Sequence, residues 1–176
     1  MKKYDIIFSD LDGTLIDTIS GETFPKGIWD MKLRFEVLDK IKELKPKFLF
    51  IVSNQGGIEK GFVNEYHFYS KLAFIVHSIE EYCGIAVDYY YCSSNDKDDK
   101  NRKPNYGMLE QAISDYNLIS DNYNDCITIY KKSEMLMIGD SSGKPGQFSD
   151  SDKKTAENFG IDYLDVEDFC KINFND

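Results

Sequence analysis

The amino-acid sequence predicts an α/β fold built as a doubly wound parallel sheet. Three features point to it. Apolar runs alternate with segments of helical periodicity after the start of the chain. The first run, residues 4–9 (YDIIFS), reads as a strand covered on both faces. Four clusters of chemically capable residues each stand where such a run stops, and that is where open α/β sheets hold their ligands.

The elements follow in order. After the 4–9 strand, Leu33, Val37, Ile41 and Leu44 recur at helical spacing, which predicts a helix over 30–45 stopped by Pro46. Residues 47–52 (KFLFIV) are the second strand, and 64–82 a long helix with apolar side chains on several faces. The third strand is 86–92 (AVDYYYC), followed by a helix over 105–117 with Pro104 in its first turn. Residues 134–138 (EMLMI) are the fourth strand; a helix near 152–159 and a short strand at 161–164 close the pattern. Two irregular stretches remain, the charged loop 93–104 and residues 119–133, to which no role attaches. There is no repeat and no interdomain linker, so 1–176 reads as a single domain.

Composition narrows the class. Hydrophobic residues at 41% and charged residues at 30% are ordinary for a soluble globular protein. No apolar run approaches the ~20 residues of a membrane span, and the first residues lack a signal-peptide core. Cys83, Cys92, Cys126 and Cys170 form no C-x-x-C pair and suggest no disulfide framework, so an intracellular, reducing location is expected. A net charge of −10 with a pI near 4.7 argues against a nonspecific nucleic-acid coat. It leaves room for a small basic site on an acidic body.

The first cluster is Asp10-Leu11-Asp12-Gly13-Thr14. Two carboxylates two residues apart project to one side of the strand end, and Gly13 lets the chain turn sharply. Such a pair suits holding Mg²⁺, attacking phosphorus and exchanging a proton. After the second strand comes Ser53-Asn54-Gln55-Gly56-Gly57, a hydroxyl and backbone N–H groups able to cradle phosphate oxygens. After the third come Arg102-Lys103-Pro104, with Lys103 aimed at the sheet edge to neutralise a phosphate. After the fourth come Gly139-Asp140-Ser141-Ser142-Gly143, where Asp140 can complete a metal site with the first pair.

This order of four motifs resembles the haloacid dehalogenase superfamily of phosphatases. The resemblance narrows through Ser20-Gly21-Glu22-Thr23-Phe24-Pro25, Lys103-Pro104 with Gly107-Met108, and Gly139 to Gly160 with its Phe148-Ser149-Asp150-Ser151-Asp152. These look like the 3′-phosphatase domain of the polynucleotide kinase 3′-phosphatase family, over nearly the whole chain. It implies a Rossmann-like haloacid dehalogenase fold without a large cap domain. The stretch 16–30 is too short to hold such a cap, and 54–100 does not read as one. The kinase phosphate loop G-x-x-x-x-G-K-[ST] is missing, so a phosphatase without its kinase is expected. The segment 92–103 offers only Cys92 and no His, against the zinc loop of some sugar and histidinol phosphatases.

The resemblance also implies a mechanism. Asp10 is the nucleophile and Asp12 the proton donor and acceptor. Mg²⁺ is held by Asp10, the Asp12 carbonyl and Asp140. Ser53 and Lys103 bind the phosphoryl group, with Asn54 and Thr14 as further phosphate contacts. Asp150 and Asp152 are candidates just behind the metal site, Asp152 being equally suited to cap the last long helix. Lys60, Arg102 and Lys144 are candidate contacts to nucleic-acid phosphates. The expected substrate is a 3′-phosphorylated DNA end. A small phosphomonoester, or a non-catalytic module binding repair partners, are the alternatives.

Overall fold

The computed structural model describes residues 2–22, 25–118 and 130–174. The strands are β1 (Ile6–Ser9), β2 (Ile16–Thr18), β3 (Met31–Leu33), β4 (Phe48–Asn54), β5 (Ala86–Cys92), β6 (Met135–Gly139) and β7 (Asp162–Asp165). The helices are α1 (Phe35–Leu44), α2 (Gly56–Glu59), α3 (Glu65–Cys83), α4 (Gly107–Asp115), α5 (Ser151–Phe159) and α6 (Val166–Lys171).

The central sheet is parallel throughout, in the order β5-β4-β1-β6-β7. Its three inner strands β1, β4 and β6 are apolar on both faces because both faces are covered, while the edge strands β5 and β7 are only partly buried. Ile7, Leu49, Ile51, Leu136 and Ile138 pack with α1, α3 and α6. Their neighbours Ile6, Phe8, Phe50, Met135 and Met137 pack with α4 and α5. The chain moves outward from β1 to β4 and β5, then returns to β6 and β7 on the other side. The ends of β1, β4 and β6 therefore meet at the switch point, where a crevice forms.

Several elements differ from the sequence expectation. The helix expected over 30–45 starts only at Phe35. Leu33 fits the helical spacing but faces Ile16 in an antiparallel β2–β3 hairpin. Arg34 ends that hairpin; its guanidinium donates to the Gly13 carbonyl at 2.8 Å and to Glu167 at 2.7 Å. Pro104 precedes α4 instead of opening it, since that helix begins at Gly107. The short α6 was not foreseen; the Asp165 side chain caps it by accepting from the Glu167 N–H at 3.1 Å. Of the unassigned stretch 119–133, residues 119–129 lie outside the described residues, and Lys132–Glu134 forms a 3-10 turn into β6. Among the described residues only the small hairpin separates β1 from α1, so no large cap covers the crevice. No described helix is long and apolar enough to cross a membrane.

Phe50 tests this packing. It is fully buried, with its ring 5.6 Å from those of both Phe8 and Phe48. Phe50→Ala should cost about 3–5 kcal/mol of stability, lowering Tm by roughly 2–4 °C per kcal/mol. Denaturant and thermal unfolding measure this; a loss below about 1 kcal/mol would contradict the packing described.

Candidate active site

The ends of β1, β4 and β6, the loop before α4, and helices α3 and α5 converge on the crevice. Asp10 follows β1, and its N–H donates to Ile138 of β6 at 3.0 Å, which fixes the start of the loop. The turn after it closes with Gly13 at φ +80°, a conformation that favours glycine. A Cβ on Gly13 would lie 2.3 Å from Oδ2 of Asp140, so the glycine also makes room for that carboxylate. Gly139 does the same for Asp152, whose Oδ2 would sit 2.2 Å from an added Cβ.

Lys103 lies at the centre. Its Nζ donates to Oδ1 of Asp10 at 2.6 Å and to Oδ1 of Asp152 at 2.7 Å, with all three side chains largely buried. Asn54, at the end of β4, holds the Lys103 backbone with both ends of its amide: Oδ1 accepts from the Lys103 N–H at 2.9 Å and Nδ2 donates to its carbonyl at 3.0 Å. Asn54 thus places Lys103, where the sequence suggested a phosphate contact. The second Asp152 oxygen accepts from the Ser141 N–H at 3.1 Å.

Asp12 stands on the other side of the turn. Gln55 Nε2 donates to its Oδ2 at 2.8 Å and to the Ser53 hydroxyl at 2.9 Å. Lys71 of α3 approaches Oδ1 to 3.5 Å. Thr14 is buried in the same turn, its hydroxyl without a hydrogen-bond partner among the described residues. A cleft of about 260 Å³ opens beside Asp12, lined in part by Asp17, Thr18, Glu22 and Lys32.

Oxygens of Asp10, Asp140 and Asp152 lie within 4.8 Å of one another. Burial pushes the Asp10 carboxyl up; Lys103 opposes this, while Asp152 and Asp140 reinforce it. Burial and Asp152 likewise raise Asp140, against the Ser141 hydroxyl. Burial works against the Lys103 charge, but Asp10 and Asp152 outweigh it and hold the ammonium above the ordinary lysine range. Carboxylates crowded so closely, with glycines clearing space for them, fit a hard divalent cation.

The remaining candidates separate. Asp152 belongs to the cluster and is no cap; the residue before α5 is Asp150. Asp150 makes a half-exposed ion pair with Lys154 at 2.7 Å and is not part of the carboxylate cluster. Lys144 is held by Asp165 at 3.0 Å and Asp168 at 2.7 Å, and Arg102 donates to the Ser94 carbonyl at 2.6 Å. Lys144 thus makes two ion pairs and Arg102 one hydrogen bond to a neighbouring loop. Lys60 is exposed at the end of α2.

A family model described as polynucleotide kinase 3 phosphatase matches residues 5–170. The chain belongs to that family. A bifunctional polynucleotide phosphatase/kinase of Schizosaccharomyces pombe is 33% identical over 171 residues, covering 96% of this chain and 38% of that protein. The chain therefore spans well under half of that relative. A D-glycero-beta-D-manno-heptose-1,7-bisphosphate 7-phosphatase of Haemophilus ducreyi is 32% identical over 123 residues, covering 64% of this chain and 65% of its own. Among solved structures, the D,D-heptose 1.7-bisphosphate phosphatase of B. bronchiseptica, complexed with magnesium and phosphate, superposes with a TM-score of 0.66 at 18% identity, over 90% of this chain and 78% of that one. A Mesorhizobium loti protein described as had-like gives 0.64 at 22%, over 92% and 71%. These likenesses show the haloacid dehalogenase fold, and the family the chain belongs to is described as a phosphatase family.

In this member of the polynucleotide kinase 3 phosphatase family, sequence reasoning missed two residues that hold Asp12. Gln55 stands inside the Ser53–Gly57 motif, whose pattern points to backbone N–H groups and not to the Gln55 side chain. Lys71 gave a usable signal: it falls on the buried stripe of α3 beside Phe68, Leu72 and Ile75. A charge at such a place calls for a partner.

Gly139→Ala checks the geometry. The added methyl would collide with Asp152 and move it off Lys103. With displacements near 1 Å, kcat should fall about 10²-fold, with the fold retained by circular dichroism. Activity within about twofold of wild type would contradict the close approach.

Proposed function

We propose that this chain is a Mg²⁺-dependent phosphomonoesterase that removes the 3′-phosphate from DNA ends through an aspartyl-phosphate. One observation carries the reading. Asp10, Asp12, Lys103 and Asp140 converge on one crevice in a chain whose match to the 3-phosphatase family spans residues 5–170. The heptose-bisphosphate relative favours a second reading, a small sugar phosphate as substrate. The uncapped crevice weighs toward a polymer end, which a lid would exclude.

Asp10 Oδ1 is engaged by Lys103, and Oδ2 accepts no hydrogen bond among the described residues, which supports Oδ2 as the oxygen that attacks phosphorus. As the Asp10 O–P bond forms, the bond to the sugar 3′-oxygen breaks and Asp12 gives that oxygen a proton. Asp12 then takes a proton from the water that hydrolyses the acyl-phosphate and frees Asp10. Lys103 and Ser53 hold the phosphoryl oxygens. Asp10, Asp140 and the Asp12 carbonyl would hold Mg²⁺, with Asp152 anchoring Lys103 beside them. When bound, the ion offsets the repulsion between carboxylate nucleophile and anionic substrate. Among the described residues Lys103 is the cation paired with Asp10 and Asp152, and Asp140 beside them forms no ion pair, which supports a cation at this cluster.

Asp10→Asn should lose several orders of magnitude in kcat with the fold intact, because an amide cannot form the acyl-phosphate. Retention of more than about a tenth of the activity would contradict the role.

Substrate class is read from phosphate release with Mg²⁺ present, comparing a 3′-phosphorylated oligonucleotide, a 5′-phosphorylated one, a sugar phosphate and an aryl phosphate. The highest kcat/KM is expected on the 3′ end, with activity lost in EDTA and restored by Mg²⁺. A clear preference for the sugar phosphate would establish the second reading instead.

A further inference from the structure

Helix α3 carries a charge where its pattern calls for an apolar residue. Phe68, Leu72, Ile75 and Ile79 make its buried stripe, and Lys71 lies on that stripe. A buried ammonium loses hydration and needs compensation. The side chain of Lys71 is only 10% exposed, and the one carboxylate paired with it among the described residues is Asp12, 3.5 Å away. Its Nζ also sits over the Phe68 ring, 5.4 Å from the centroid, which fixes its approach.

Asp12 supplies an independent observation. Its Oδ2 accepts from Gln55, but its Oδ1 is buried and accepts no hydrogen bond among the described residues. The terminal torsion of an aspartate is soft, with a broad range of orientations. Gln55 alone would hold one oxygen and leave the carboxylate free to swing about it. A second contact on Oδ1 fixes its plane.

We propose that Lys71 is a positioning residue for Asp12, holding Oδ1 while Gln55 holds Oδ2, so that the proton passed by Asp12 meets the leaving oxygen and later the attacking water. Proton transfer counts most where the leaving group is poor, so the effect of Lys71 should follow that of Asp12 from substrate to substrate. The inference rests on Asp12 as the proton donor and acceptor of the proposed reaction, and Asp12→Asn tests that premise separately.

The experiment compares wild type, Lys71→Met, Lys71→Arg, Asp12→Asn and the Asp12→Asn/Lys71→Met double variant, on a 3′-phosphorylated oligonucleotide and on an aryl phosphate. Lys71→Gln replaces Lys71→Met if the latter does not fold. Lys71→Met should lower kcat roughly 10- to 100-fold on the oligonucleotide, with KM little changed. On the aryl phosphate, whose departure needs little protonation, the loss should be only about two- to threefold. Lys71→Arg should recover part of the loss. In the Asp12→Asn background, Lys71→Met should cost less than about twofold more. Equal losses on the two substrates, or a full additional loss in the double variant, would overturn the inference and make Lys71 a merely structural residue. If Asp12→Asn itself is equally impaired on both substrates, the premise fails, whatever Lys71 does.

Discussion

The ion triad of Asp10, Lys103 and Asp152 is the constraint on which the rest of the site depends. A buried ammonium is costly unless its partners are close and well oriented, and removal of one partner leaves an uncompensated charge. Here Lys103 has two carboxylates at hydrogen-bond distance, one at the end of β1 and one on the first turn of α5. That requirement reaches outward. Asn54 pins the Lys103 backbone to the end of β4, and Gly139 at the end of β6 has no side chain because Asp152 occupies the space. One charged group therefore fixes the relative positions of three adjacent strand ends, the loop before α4 and the start of α5.

The arrangement also bears on how an acidic protein could handle a phosphorylated substrate. Lys144 and Arg102, which lie beside the sequence motifs, bond Asp165, Asp168 and the Ser94 carbonyl. Inside the crevice, Lys103 and Lys71 supply positive charge, each facing a carboxylate. Under the proposed function, recognition is centred on the scissile phosphate and the bound cation. A surface at net −10 repels a polyanion that tries to track along it.

Much of this was legible in the sequence, for physical reasons. Fully covered parallel strands must be apolar on both faces, so 47–52 and 134–138 stand out as runs, while the half-buried edge strand 86–92 stands out by its valine and tyrosines. The residues ending them drew notice because a strand end is where side chains can face a ligand. The hairpin was hidden because its strands are three residues long and Leu33 shares a helical spacing with Val37 and Ile41. Helix α6 was hidden by its shortness, barely long enough for a period, although Asp165 is a good cap. Asp152 was ambiguous because an aspartate at a helix start is as often a cap as a ligand; only burial against Lys103 separates the two. Lys71 and Gln55 act across the fold on Asp12, 59 and 43 positions away, and no local pattern reports such a pairing.

The central claim is that the Asp10 oxygen left free by Lys103 becomes bonded to phosphorus. The direct measurement is to quench the enzyme during turnover with Mg²⁺ and a 3′-phosphorylated oligonucleotide, reduce with borohydride, and sequence the peptides by mass spectrometry. An aspartyl-phosphate is reduced to homoserine, whereas a free carboxylate is not. Homoserine at position 10, dependent on substrate and absent from the Asp10→Asn variant, is the result expected. Turnover that leaves Asp10 unreduced, or homoserine at Asp12, Asp140 or Asp152 instead, would contradict the account.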